Sequence, residues 1–387
     1  MKYLFNENLQ GIKPSAIREI LKVTADPSVI SFAAGNPALE SFPVEKLAKI
    51  SNDILTQNPT AALQYSVTEG YAPLREYLKK MHTKNATLRG FDELIVTAGA
   101  TQAIGLAAQV LCNKGDTVLV ENPTFIGSLN AFRVHGLNIV GVDMESDGVD
   151  LAALENALKT NKVKFFYIIP NFQNPTGIST SYEKRKAIYD LCAKYDCLIL
   201  EDNPYGDLRF DGEEIASVKS FDEKGLVVYI RSFSKTIAPG LRVGYCVVPC
   251  EIASKMVLAK QAQDVHTNAH AQILTHRFLT EHDFNAHLRF VKNIYKERAA
   301  CMTSAIGLHF NGKLCYNKVD GGLFLWCKLP KSVCAQDFVK RALGAGVAII
   351  PGDVFTLNGG TNSIRLNFST ESFENIENGV EKLAKLL

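Results

Sequence analysis

The sequence predicts an α/β fold: a large domain on a mostly parallel central sheet between helices, then a smaller α+β domain. Three observations carry this reading. Short apolar runs alternate with helical patterns through the middle of the chain, as a parallel sheet covered on both faces requires. After about residue 250 the pattern changes to long amphipathic helices and a shorter mixed tail. A chain of 387 residues is also long enough for more than one hydrophobic centre.

The elements follow in order. The stretch up to about Leu39 has few strand signals and is expected to pack against the C-terminal tail. "DELIVTA" (92–98) reads as a strand, "TQAIGLAAQVL" (101–111) as a helix, and "DTVLVE" (116–121) as the next strand. Further strands are "LNIVGV" (137–142), "VKFFYIIP" (163–170), "CLILED" (197–202), "GLVVYIRS" (225–232) and "VGYCVVP" (243–249). Helical stretches such as "SYEKRKAIYDLCAKY" (181–195) separate most of them. A long helix through "HLRFVKNIYKERAACMTSAI" leads into "GGLFLWCKL", "AQDFVKRALGAG", "VAIIPG" and "SIRLNFS". The expected division is an N-terminal segment 1–40 packing with the small domain, a large domain 41–285, and a small domain 286–387.

Composition narrows the function classes. Hydrophobic residues make up 47% and charged residues 21%, the balance of a soluble globular protein. The net charge of +2, from 42 basic and 40 acidic side chains, gives no electrostatic footprint for nucleic acid or an anionic membrane. The start lacks a long apolar region, and no stretch approaches the ~20 apolar residues of a membrane span, so a cytoplasmic protein is expected. Nine scattered cysteines and eight histidines show neither Cys-x-x-Cys nor His-Glu-x-x-His spacing, and no metal site is expected.

In an open α/β sheet, ligands sit at the carboxyl ends of the strands. There the chain places Asn171 to Gly177, Glu201 to Tyr205, Arg231 to Lys235, and Ala98 to Gln102 opening a helix. Alone, each has a plain alternative: Asn174-Pro175 makes a good turn, Asp202 a cap, Lys235 a solvated lysine, and Gly99 to Gln102 a tight strand–helix turn. Together they gather an amide, a carboxylate, a phenol, hydroxyls, a lysine and a glycine-turned helix start on one edge.

One chemistry uses all of these groups, a pyridoxal 5′-phosphate site. Its aldehyde needs a lysine, which Lys235 supplies. Its ring nitrogen stays protonated beside a carboxylate, for which Asp202 fits. Asn174 and Tyr205 suit the ring hydroxyl. The phosphate needs donors and positive charge: the helix start at Ala100, Thr101 and Gln102, the hydroxyls of Ser232 and Ser234, and Arg242.

These motifs resemble the fold-type I aminotransferases of class I/II, and most closely the 2-aminoadipate and kynurenine aminotransferase branch, which is also similar to the C-terminal domains of MocR-type regulators. "SFAAGNPALESFP", "LQYSVTEGYAPLREYL", "TAGATQA", "ENPTF", "PNFQNPTG", "EDNPYGDLRF", "SFSKTIAPGLRVGY", "GGLFLW" and "PGDVF" with "SIRLNFS" follow in family order over nearly the whole chain. The resemblance implies that Arg365 grips the substrate α-carboxylate, that the chain at Gly35 passes close to the substrate, and that Phe125 stacks on the cofactor. It implies that Tyr65 reaches the phosphate of a neighbouring subunit in a homodimer with shared sites, with the loop 264–270 directed at the partner. Two departures stand out. Phe125 occupies a position where many relatives carry Tyr, and Ala100-Thr101-Gln102 replaces Ser-Gln-Gln, which moves one phosphate-facing hydroxyl.

The implied activity is transfer of the amino group of an L-amino acid (2-aminoadipate, aromatic or branched-chain type) to a 2-oxo acid such as 2-oxoglutarate. Lys235, Asp202 and Tyr205 are the catalytic candidates; Gly35, Asn174 and Arg365 face the substrate. Another fold-type I reaction, such as C–S β-elimination, would use the same lysine and aspartate. A non-catalytic sensor of the MocR type would carry a helix-turn-helix domain before the pattern, which here begins by about residue 12.

Overall fold

A computed structural model describes residues 3–10, 12, 26 and 28–387. The central sheet is built from β2 (Asp92–Thr97), β3 (Thr117–Asn122), β4 (Asn138–Glu145), β5 (Gly148–Val149), β6 (Val163–Ile168), β7 (Leu198–Asp202), β8 (Val227–Ser232) and β9 (Gly244–Pro249), in the order β2-β9-β8-β7-β6-β3-β4-β5. Strands β8, β7, β6, β3 and β4 run parallel, β9 runs antiparallel to both β2 and β8, and β5 closes the far edge as a short hairpin with β4. The mostly parallel sheet expected from the sequence is therefore present, with antiparallel pairings at both margins.

Strands β3, β6, β7 and β8 each carry an apolar run, Val118–Val120, Phe165–Ile168, Leu198–Leu200 and Val227–Ile230, because helices cover both faces. Phe165 and Phe166 are neighbours on β6, yet they belong to two different hydrophobic clusters on opposite sides of the sheet. Several helices start where short polar side chains take free backbone N–H groups. Asp150 accepts from Ala152 and Ala153, Ser181 from Lys184, Asp283 from Ala286 and Ser372 from Asn375.

The 27-residue helix Phe284–Phe310 leads to a second sheet of β10 (Cys315–Tyr316), β11 (Phe324–Lys328), β13 (Ile350–Pro351) and β14 (Ser363–Asn367), ordered β10-β11-β14-β13 and wholly antiparallel. Near the N-terminus, β1 (Ile30–Ser31) pairs in parallel with β12 (Val347–Ala348). The segment that follows β1 is strapped to the same region: Asn367 N–H donates to Phe32 O at 2.8 Å, Ser369 Oγ to Asn36 O at 2.5 Å, and Arg298 bonds Glu40. Residues 13–25 of the N-terminal segment lie outside the described residues.

Because β2 runs in the same direction as β8, their carboxyl ends share an edge. The register sets Thr97 and Ser232 on either side of Gly244, while Asp202 lies beside Ile230 one strand further on. The loops carrying Ala98–Gln102, Asn171–Gly177, Asp202–Tyr205 and Ser232–Arg242 therefore open on one edge, and the strap after β1 crosses above it.

Candidate active site

These loops enclose a cavity of about 300 Å³. Of the residues singled out from the sequence, Gly35, Ala100, Thr101, Phe125, Asn174, Asp202, Tyr205, Ser232, Ser234, Lys235, Arg242 and Arg365 line it. Two stand elsewhere. Gln102 turns its side chain away, accepting from Ala98 N–H at 2.8 Å and donating to Asp264 at 2.9 Å. Tyr65 is 82% exposed and sits edge-on to the His266 ring at 6.0 Å, outside the cavity.

Lys235 points into the cavity from the turn after β8, half-buried, with its ammonium donating to Gly35 O at 2.8 Å. Burial, with the nearby cations Arg365 and Arg242, lowers its pKa to about 8. No carboxylate bonds it, so a neutral amine is within easy reach.

Asp202 ends β7 and is 3% exposed. Its Oδ2 accepts from the Tyr167 hydroxyl at 2.8 Å, while Oδ1 is buried with no partner. Burial pushes its pKa up to about 7, against the pull of Tyr167. A buried carboxylate oxygen without a donor is costly, and a cationic ring N–H at that position would satisfy it.

Arg365 lies in the middle of β14, opposite Trp326 and Ile350, and is 2% exposed. Its Nη1 donates to Asn174 Oδ1 at 2.8 Å and its Nη2 to Ala33 O at 2.5 Å, while Nε has no partner. The guanidinium lies 4.3 Å from the Phe324 ring centre and 4.8 Å from that of Phe355. Burial lowers its pKa to about 10, partly countered by Tyr205. A buried guanidinium that bonds only neutral oxygens is ready for a carboxylate.

The phosphate end is shaped by two glycines. Gly99, at φ +80°, begins the helix Ala100–Leu111, and a Cβ there would stand 2.5 Å from Arg242 Nη2. A Cβ on Gly244 would stand 2.7 Å from Gly99 C and 2.9 Å from Ala100 N. The missing side chains let Arg242, itself in the left-handed region at φ +53°, fold back and donate to Ala98 O at 2.9 Å. Free helix N–H groups, the hydroxyls of Ser232 and Ser234 (2.8 Å apart) and this guanidinium make a site for a doubly charged phosphate. The orphaned Asp202 oxygen, the accessible amine and this cradle fit pyridoxal phosphate.

Other residues fix the walls. Fully buried Arg185 bonds Pro170 O and Asn171 Oδ1, both at 2.7 Å, and Gln173 donates to buried Glu121 at 3.1 Å, so the loop bearing Asn174 is held from behind. Burial pushes Glu121 to about 8. Sequence reasoning missed Tyr167, Phe324 and Phe355. The ring of Phe324 touches Arg365 and Tyr205, and a Cβ on Gly35 would stand 2.8 Å from it. The motif "GGLFLW" contains this phenylalanine, but nothing in its pattern assigns the ring a contact.

Among the described residues, no group of three or more His, Cys, Asp or Glu could hold a metal ion. Nor, among them, is any helix long and apolar enough to cross a membrane.

Comparison with known proteins agrees with this geometry. Residues 27–383 match the family model for aminotransferase class I and II. The chain is 35% identical to aromatic-amino-acid aminotransferase 1 of Thermococcus litoralis, over 99% of this chain and 94% of the relative. The crystal structure of Pyrococcus horikoshii kynurenine aminotransferase, in complex with PMP, superposes with a TM-score of 0.94 at 33% identity, covering 99% of this chain and 96% of that one. The α-aminoadipate aminotransferase of Thermus thermophilus, complexed with N-(5′-phosphopyridoxyl)-L-leucine, gives a TM-score of 0.91 at 36% identity, covering 99% and 97%.

Proposed function

The chain belongs to the aminotransferase class I and II family, and from that premise we propose the residues and substrates through which it works. It is a pyridoxal phosphate-dependent aminotransferase that moves an amino group between an amino acid and a 2-oxo acid. When bound, the cofactor supplies an aldehyde that takes the amino group and a ring that accepts the electrons of a broken bond at Cα.

The protein does the rest. Lys235 would hold the aldehyde through its Nζ. The same Nζ, with its pKa already lowered, would take the proton from substrate Cα. Asp202 Oδ1 keeps the ring nitrogen cationic, and Tyr167 holds that carboxylate in place. Asn174 and Tyr205 would meet the ring hydroxyl, Phe125 would stack on the ring, and Arg242, Ser232, Ser234 and the helix start at Ala100 and Thr101 would hold the phosphate. Arg365 takes the substrate α-carboxylate beneath the backbone at Gly35. The observation carrying this reading is the single cavity in which a carboxylate oxygen without a donor and a guanidinium without an anion flank the lysine.

The donor is an aromatic, branched-chain or 2-aminoadipate-type amino acid and the acceptor 2-oxoglutarate. Ala34, Ile104, Ile169 and Phe324 on the cavity wall support an apolar side chain. The active form is a cytoplasmic homodimer in which Tyr65 reaches the partner's phosphate. Exposed Leu63, Tyr65 and Val67, near one another in sequence, support this, and the nine free cysteines suit a reducing compartment. Residues 41–285 would form the cofactor-binding domain and 286–387 the small domain, with 1–40 on the latter; the β1–β12 pairing supports the last point.

The test is a screen of amino donors with 2-oxoglutarate, with both products identified. Glutamate formed one-for-one with the donor's 2-oxo acid is expected. Release of sulfide and pyruvate from cysteine, without glutamate, would favour β-elimination instead.

A further inference from the structure

Lys260 takes no part in the chemistry above, yet its side chain is 0% exposed in the helix Cys250–Gln263. A buried ammonium costs several kcal/mol unless it is well paired, and an apolar side chain could fill the same space. Its partners explain the position. Nζ donates to both Asp264 oxygens at 2.8 Å and to Gln102 Oε1 at 3.2 Å. The Gln102 amide is thus read from two sides: a cation meets its oxygen, and the Asp264 carboxylate accepts from its Nε2 at 2.9 Å. A side-chain amide can turn over by half a turn at little intrinsic cost, and this pair permits only one orientation.

The orientation matters because of Ala98. Its N–H donates to Gln102 Oε1, and its carbonyl accepts from Arg242. Gln102 is the third residue of the helix and reaches back past the Gly99 cap, so a glutamine at this helical position closes the turn from which the phosphate cradle is made. Asp264 also leads into the loop that bears His266, whose ring meets Tyr65.

We propose that Lys260 is a positioning residue for the phosphate end of the active site, acting through Gln102 to fix the Ala98–Gly99 turn and the rotamer of Arg242. This rests on the cofactor reading above. In the holoenzyme, Lys260→Met should release pyridoxal phosphate at least tenfold faster than wild type and shift the ³¹P resonance of the bound phosphate. The KM for the amino donor at saturating cofactor should change less than twofold, because Arg365 is untouched. Gln102→Ala should release the cofactor as fast, and the double variant no faster than either single one.

A wild-type release rate in folded Lys260→Met would overturn the proposal, as would release effects that multiply in the double variant. If Lys260→Met does not fold, Gln102→Ala decides: a wild-type release rate and phosphorus shift overturn the role. Borohydride treatment of the wild-type holoenzyme is the control. A cofactor label on any peptide but that of Lys235 would overturn the functional reading itself, whatever Lys260 does.

Discussion

Replacing Arg365 by methionine separates what the guanidinium does for substrate from what it costs the protein. A guanidinium has five N–H donors. Two are used, on Asn174 Oδ1 and Ala33 O, which leaves three for a ligand, the partnerless Nε–H among them. A carboxylate accepting two charge-assisted bonds there gains about 3–6 kcal/mol, at about 1.5–3 kcal/mol each. At about 1.4 kcal/mol per tenfold, kcat/KM for the amino donor should fall roughly 10²- to 10⁴-fold.

Stability should respond quite differently. Lowering the guanidinium pKa from 12.5 to about 10 corresponds to about 3 kcal/mol of burial cost, which methionine removes. Against that, two buried oxygens lose a donor, at about 1–3 kcal/mol each. The terms offset each other to within about 3 kcal/mol, so Tm of the substrate-free holoenzyme should move by only a few degrees. Stopped-flow absorbance of the first half-reaction, cofactor content and a thermal melt together make the assay. A variant with bound cofactor and kcat/KM within threefold of wild type would refute the carboxylate role.

Two further outcomes follow from the same cavity. The amine of Lys235 must be neutral to bond the aldehyde, and its pKa is lowered to about 8, so cofactor capture by cofactor-free protein should rise with pH and level off above about 8. Arg365→Met, which removes one of the depressing cations, should move that midpoint upward; a midpoint near the ordinary lysine value of 10.5 in wild type would contradict the burial argument. Gly99→Ala puts a Cβ at φ +80° and ψ 171°, a region open essentially to glycine alone and costing about 1–3 kcal/mol otherwise. It also crowds Arg242, so weaker cofactor binding by about tenfold is expected in equilibrium titration, and unchanged affinity would speak against the cradle.

Much of this site could be read in the sequence because parallel-sheet folds put their chemistry at strand ends. Asp202, Ser232 and Lys235 each follow an apolar run that announces its own end. Arg365 follows from the family resemblance alone, and the structure adds why it is strong: Phe324 and Phe355, far apart in the chain, close on it. Tyr167 was hidden for the opposite reason. It sits in the buried run Phe165–Ile168 of β6, so its hydroxyl reads as one more aromatic core residue until β7 brings Asp202 alongside. Gln102 shows where local motif reading stops: its backbone opens the right helix, but the rotamer depends on Lys260 and Asp264, some 160 residues later in the chain. The antiparallel entry of β9 was equally unreadable, because an apolar strand carries no mark of its direction.

The strap above the cavity bears on how such an enzyme can change. Its backbone is tied at Phe32 and Asn36 through main-chain oxygens that any residue would present. The phosphate end, by contrast, depends on side chains that must be absent at Gly99 and Gly244. Mutation can therefore vary Ala34 and Asn36, which line the cavity, while the carbonyl anchors stay in place. The strap can vary on either side of Gly35, whose missing side chain makes room for Phe324, so new amino donors can be acquired there without rebuilding the place where the cofactor sits.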